Sequence, residues 1–457
     1  MDRLIQEYIA MSQKGTVPFY EETDFLVIAK SFQKTNQLDK AFEVLSHGLV
    51  YYPSSAELHT AKALLYAEAN EEELSLKHIE KALVFSPSDT EVLSTKVQLL
   101  TLFERFDEAQ TVIDMLEAQT EQHHCKDDLY MLKANLYEMM EEVDMAYNAL
   151  ADAIRTNPQN EDALSRIWLA ADYSQRHEDS VVLHEAVLEE HPYSYWAWNN
   201  LGQAHLALKD NAKAAEAFEF SFITNPQFDM AYRACAATCI ASGWFRKALS
   251  CLGELCNRFG EDHEALTQIG LCHELMSDYS CAQTFYMKAL RMNPNCDVAN
   301  FRMGECMNKG GKSLEAIQFY HRAMELNCLK EEYVAALAQA YYDIEDFENA
   351  DKYLAEAIEV APETPKYWIS YIDFLIELGS YDCAHRVIED AELNVYDTYV
   401  LYCRVACLYA EGMRKEAINV LIQALDEDSG LGHSVLLELA PDACKDKDVM
   451  NLLSAYK

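Results

Sequence analysis

One spacing limits what this chain can fold into more than any other property: small residues return every 34 positions. Ala41, Ser75 and Ala109 are 34 apart; Ala146, Ser180, Ala214, Ala248, Ala282, Ala316, Ala350 and Ala384 continue at 34, and Ala417 follows at 33. Two steps depart, 109 to 146 by +3 and 384 to 417 by −1. Proline keeps the same period at another place: Pro53 to Pro87 and Pro158 to Pro192 to Pro226 are steps of 34, and Pro226 to Pro294 to Pro362 are steps of 68. Self-similarity at such a period marks a repeat array in which each repeat is one supersecondary unit.

The two residue types have different physical jobs. A small side chain fits where two helices cross closely, because a larger one drives the axes apart. Proline cannot continue a helix and fits the link where one unit ends and the next begins. Each 34-residue unit therefore reads as helix, short turn, helix, link. Gly (14) and Pro (10) are scarce in the 457 residues, and Ala, Leu, Glu, Lys and Met are abundant, which is a helical composition with little room for strands. A chain of this length need not split into ordinary domains, since a stack of repeats escapes the size limit of a single core.

Trp198, Leu201, Gly202 and His205, followed by Ala214, Phe218 and Pro226, resemble the tetratricopeptide repeat (TPR) pattern W-x2-L-G-x2-Y, A-x3-F, P. Neighbouring units keep the scheme with Gly270, Ala282, Tyr286, Ala289 and Pro294, then Gly304, Ala316, Tyr320 and Ala323. The resemblance implies an all-α fold: a right-handed superhelical α-solenoid of about twelve TPR helical hairpins with terminal capping helices. The expected boundaries are a capping helix and link at 1–21, the array at 22–432 and closing helices at 433–457, read as one continuous solenoid. Trp168 stands where the family has Gly or Ala, and Gly260 and Cys328 replace two periodic prolines, so packing is expected to differ locally there. Three extra residues near 123–126 lengthen one link, and a kink is expected between the third and fourth units.

Thirty-seven basic against seventy-six acidic residues give a net charge of −39. Such a field repels phosphate backbones and anionic lipid, so nucleic acid is not an expected partner and a basic or neutral protein or peptide is. No apolar run reaches the ~18–20 residues that span a bilayer, so no membrane insertion is expected. The first residues carry Asp2 and Glu7 and lack a basic region followed by an apolar one, unlike a secretory signal. The fourteen cysteines are dispersed without any C-x-x-C, and no N-x-[ST] occurs. Reduced, packed thiols and a cytoplasmic location are expected.

Catalytic chemistry finds little support. Gly310-Gly311-Lys312-Ser313 ends like a phosphate-binding loop, but Cys306 stands where the first Gly is required and the segment falls in a hairpin turn. His123, His124, Cys125, Asp127 and Asp128 lack a second ligand pair for a closed tetrahedral site. No catalytic residue, cofactor or metal is expected, and the chain reads as a non-enzyme.

The TPR resemblance implies a concave surface lined by the first helix of each unit. Projecting the positions beside the packed ones gives Asn135, Arg166, Asn199, Asn200, Gln203, Arg233, Gln268 and Arg302 as lining residues. Amides and guanidinium groups there can hydrogen-bond an extended backbone or its carboxylates. The carboxylate clamp of some family members is missing, because the matching sites hold Leu26, Lys30, Ala61, Glu91 and Thr95. The function expected is a scaffold or adaptor holding a segment of a partner protein in the groove; the alternative is a regulatory subunit or ligand sensor that changes solenoid curvature.

Overall fold

The computed structural model describes residues 2–12, 19–120, 126–395, 397–428, 432–441 and 443–456. Among these, twelve helical hairpins follow one another, from Glu22–Lys34 with Leu38–Tyr51 to Thr398–Ala410 with Arg414–Glu427, and no strand occurs. The expected lengthened link at 121–125, with its kink and its His123, His124 and Cys125, lies outside the described residues.

The chain divides into two compact units, Met1–Thr238 and Cys239–Lys457, with the boundary inside the helix Asp229–Ala241. Within each unit the two helices of a hairpin pack on each other, and each hairpin packs on the next. Close approach between successive first helices recurs, for example Thr90–Leu102 with Lys126–Met139 and Asp297–Lys309 with Glu331–Asp343. Second helices approach each other far less, so in each unit the first helices form a continuous layer.

Both periodicities have a direct structural cause. All twelve small residues of the lattice are buried, at 0 or 1% exposure. Ser75 shows why they are small: its Oγ donates to the Ala63 carbonyl at 2.9 Å, across to the backbone of the other helix in the hairpin. The seven periodic prolines each follow the non-helical residue that caps a second helix, such as Asn157 (φ −136°, ψ 90°) and Ala361 (φ −132°, ψ 66°). All have left the helical region, which the ring of a following proline disfavours.

A third periodicity becomes visible only in the backbone. Every hairpin turn among the described residues holds one residue at positive φ, from Asn36 (55°) to Gly412 (91°). The following N–H then closes back onto the end of the first helix, as in Gln37 N to Phe32 O (2.9 Å) and Lys312 N to Met307 O (3.0 Å). This is a Schellman stop. Only Gly243, Gly311, Gly379 and Gly412 fill the site with glycine; Glu104, Glu141, Lys209 and Glu345 are among those that accept the left-handed conformation with a side chain.

At the crossing itself, bulk is traded between helices. A Cβ added to Gly202 would lie 2.6 Å from the Phe218 ring; the same holds for Gly270 against Tyr286, and for Gly304 against Tyr320 at 2.7 Å. Where Trp168 takes this site, the partner helix carries His184, and Trp168 stacks on His177 with ring centroids 5.9 Å apart. The ends are covered by helices as well. In Asp2–Ser12, Tyr8 is buried beside Phe32 and its hydroxyl lies 2.8 Å from His47 Nδ1. At the other end Val449 and Leu453 of Lys447–Ala455 pack on Tyr402 and Leu421.

Candidate functional site

The first-helix layer carries the residues singled out above, and it places them in three different ways. Asn135 and Arg166 come together on adjacent first helices: Arg166 Nη2 donates to Asn135 Oδ1 at 2.7 Å and to Glu138 at 2.6 Å, while Nη1 reaches Asp162 at 3.1 Å. Arg233 lies 3.6 Å from Asp229, and Arg302 lies 3.7 Å from Glu274. Gln203 and Gln268 are half-buried, and Gln268 Oε1 is enclosed without a hydrogen-bond partner.

Asn199 and Asn200 do not face outward. Asn200 is 1% exposed, and its amide donates to Leu164 O at 2.7 Å and lies 3.2 Å from His184 Nε2. His184 Nδ1 faces the Ser180 carbonyl at 2.7 Å. That carbonyl can only accept, so Nδ1 carries the proton and Nε2 accepts from Asn200. Burial pushes the His184 pKa down to about 4. Asn200 thus belongs to the buried seam between its own hairpin and the preceding one, and has no surface to offer a partner. Asn199 is 4% exposed, and its Oδ1 is buried without a partner.

Unit 239–457 contains a polar network that the sequence reading did not single out. The Glu274 side chain is 3% exposed; it accepts from Tyr286 Oη at 2.8 Å and pairs with Lys309 Nζ at 3.2 Å as well as with Arg302. Next to it Glu305 accepts from Tyr320 Oη at 2.7 Å and lies 3.6 Å from Lys309. Burial, then the neighbouring carboxylates, hold both tyrosine hydroxyls far above their ordinary pKa. One signal was present in the sequence: Tyr286 and Tyr320 replace the Phe218 type of ring at a buried site, and a buried hydroxyl needs an acceptor.

Among the described residues, each unit has a hollow on its first-helix face. In unit 1–238 a hollow of about 1050 Å³ lies against Thr90–Leu102, Lys126–Met139 and the start of Glu161–Tyr173. Leu129, Met131 and Leu132 line it together with Asp89, Glu91, Asp128 and Asp162, and among the described residues its lining contains no Lys, Arg or His. In unit 239–457 a hollow of about 660 Å³ crosses Asp297–Lys309, Glu331–Asp343 and Pro365–Glu377. Its charged lining consists of Glu305, Glu332, Asp373 and Glu377 against Arg302 and Lys366.

Groups that could suggest chemistry have packing roles. Gly310-Gly311-Lys312-Ser313 forms the turn after Asp297–Lys309, with Gly311 at φ +75° and Lys312 N bonded back to Met307 O. His273, Asp278 and Cys281 bring possible ligand atoms within 4.8 Å of one another. Asp278, however, caps the helix Tyr279–Met292, accepting from Cys281 N and Ser280 Oγ at 3.2 Å each, and His273 stacks on Phe285 at 5.5 Å. Thirteen described cysteines are free thiols. Burial pushes the Cys306 thiol up to about 12, away from the reactive thiolate. No helix among the described residues is long and apolar enough to cross a membrane.

Residues 169–219, 263–296 and 332–364 match tetratricopeptide repeat family models, and each match lies on the 34-residue hairpin seen throughout both units. The chain is a tetratricopeptide repeat protein. DnaJ homolog subfamily C member 7 of Homo sapiens is 24% identical over 198 residues, 40% of this chain and 39% of that protein. Tetratricopeptide repeat protein 16 of Homo sapiens is 20% identical over 289 residues, 56% of this chain and 33% of that one. The TPR chain thus spans between a third and two fifths of the length of these curated relatives. Among solved structures, the APC/C hetero-tetramer Cut9-Hcn1 shares 13% identity at a TM-score of 0.41, covering 89% of this chain and 84% of that one. YrrB, described as a TPR protein with an unusual peptide-binding site, shares 16% identity at a TM-score of 0.33, covering 40% of this chain and 95% of that one.

Proposed function

We propose that this TPR protein is a non-catalytic scaffold or adaptor that holds a segment of a partner protein against the first-helix face. TPR proteins in general mediate protein–protein interactions, and the finer reading rests on one observation. Each unit leaves a hollow on that face with an apolar part and a rim in which carboxylates outnumber cations. The arginines that would invite an acidic ligand, Arg166 and Arg302, already pair with Glu138, Asp162 and Glu274. Together with the net charge of −39, this supports a basic or neutral protein partner, met faster at low salt and not displaced by nucleic acid. The free, mostly buried thiols support a reducing, cytoplasmic setting.

The test begins with affinity purification from the native cell and identification of the proteins retained. The best retained protein is then measured against two variants with unchanged helicity. Ala336→Arg fills the first-helix hollow, and Leu314→Arg places the same charge on an exposed residue of the second helix Ser313–Leu326. At least a tenfold loss from Ala336→Arg alone, about 1.4 kcal/mol, is expected. A loss from Leu314→Arg with Ala336→Arg silent moves the binding surface to the second helices and ends this reading.

A further inference from the structure

The hollow of unit 239–457 combines two features that narrow its occupant. Of its two cations, Arg302 is committed to the buried Glu274, and Lys366 lies exposed over the Tyr367 ring at 5.8 Å from its centroid. Two of its carboxylates, Glu332 and Glu377, are less committed. Glu332 is exposed and makes no hydrogen bond or ion pair among the described residues. Glu377 is exposed and bonded only to the hydroxyl of Tyr342 at 2.5 Å, which holds an aromatic ring beside an uncompensated carboxylate. The floor between them is made by Ala335 and Ala336, whose small side chains leave room for a main chain.

A carboxylate next to a ring suits a guanidinium group, which can pair with the first and lie against the second. An extended chain advances about 3.3 Å per residue, so alternate side chains point the same way about 6.6 Å apart. We propose, resting on the groove reading above, that this hollow takes an extended arginine- or lysine-rich segment of the partner, with Glu332 and Glu377 receiving its cationic side chains. The occupant is thus an unfolded basic stretch rather than a folded surface or an acidic tail. The surplus of acid over the whole chain steers such a segment in, and the two exposed carboxylates select it.

The test uses the full chain and three fluorescent twelve-residue probes: alternating Arg-Ala, alternating Ser-Ala and alternating Glu-Ala. The variants are Glu332→Gln with Glu377→Gln, which keeps size and the Tyr342 contact, and Ala336→Arg, which fills the floor. Arg-Ala is expected to bind the unaltered protein in low salt, to weaken at least tenfold in the double Gln variant, and to be lost in Ala336→Arg. The Ser-Ala and Glu-Ala probes are expected to bind at least tenfold more weakly. Failure of Arg-Ala to bind, or a loss under threefold in the double Gln variant, overturns the proposal. If Ser-Ala or Glu-Ala binds as tightly as Arg-Ala and is blocked by Ala336→Arg, the charge selection falls while the groove reading stands. Circular dichroism on each variant separates lost binding from lost folding.

Discussion

The hairpin of Glu161–Tyr173 with His177–Glu190 and the hairpin of His263–Leu275 with Tyr279–Met292 have the same length and the same turn geometry, yet they fill their crossing in opposite ways. The first places the bulk on its first helix, as Trp168, and the neutral His184 opposite, bonded to Ser180 and Asn200. The second places a void on its first helix, as Gly270, and fills it with the Tyr286 ring, whose hydroxyl bonds the buried Glu274. One repeat thus hides a neutral polar network and the other a charged one. The charged one reaches the groove, because Glu274 pairs with Arg302 and Lys309 of the next hairpin. The lesson is that the repeat conserves the volume at the crossing, and the chemistry used to fill it decides what the face outside can bind.

The sharpest way to break this comparison is to convert one filling into another. Tyr286→Leu removes a ring and the Glu274 hydrogen bond, with an expected loss of about 3–5 kcal/mol. Gly270→Ala sets a Cβ against that ring and should cost about 1–3 kcal/mol. The two together reproduce the Ala338 and Leu354 combination of a later hairpin in the same unit, so the double variant should lose clearly less than the sum. Additive losses in chemical denaturation would show that the crossing does not conserve volume.

Acid probes the neutral network. With its pKa held at about 4 in the fold against ~6.5 unfolded, His184 contributes stability that is complete above about pH 6.5. The unfolded chain takes up the proton first as the pH falls, so this contribution declines from about pH 6.5 toward pH 4, on the order of 3 kcal/mol in all. His78, also held at about 4, acts in the same direction within the same unit. His184→Leu should therefore flatten, without abolishing, the loss of stability of unit 1–238 between pH 6.5 and 4.5. An unchanged slope in urea titrations would refute the neutral assignment.

Smaller effects come from the turns and from the orphan amide. Glu345→Gly should gain about 0.5–1 kcal/mol, because a side chain at φ +60° is strained, and Gly311→Ala should lose a similar amount. A loss in both would mean that the Glu345 side chain makes a compensating contact. Asn199→Leu removes a buried, unpartnered Oδ1 and should leave stability equal or raised by up to about 1 kcal/mol. A loss above that size would show that the amide is satisfied within the fold.

Much of the architecture was legible because its causes are local. A small residue at each crossing and a proline after each helix act through the two or three residues beside them, so twelve hairpins could be read from Ala41 to Ala417. The left-handed turn residues were less legible, because Glu141 and Lys209 carry no glycine signature and are forced to positive φ by the closing bond of the turn. The site was read only in part. Arg166 and Arg302 lie on the expected first helices, but their charge is taken up by Glu138 and Glu274. Glu274 itself was hidden among seventy-six acidic residues.

The sequence by itself determined the repeat, its all-helical content, its register and the acidity of the whole chain, since period and composition are properties of the linear order. Only the tertiary structure decided which polar groups face out. A first helix is covered by its own second helix and by the first helices on either side, so only a narrow strip of its surface stays open. Positions four apart, such as Asn199 and Gln203, then differ in exposure according to the neighbour that lies across them. That neighbour is set by packing between repeats, which is why Glu332 and Glu377 remain available in one hollow while Asn200 is enclosed beside His184.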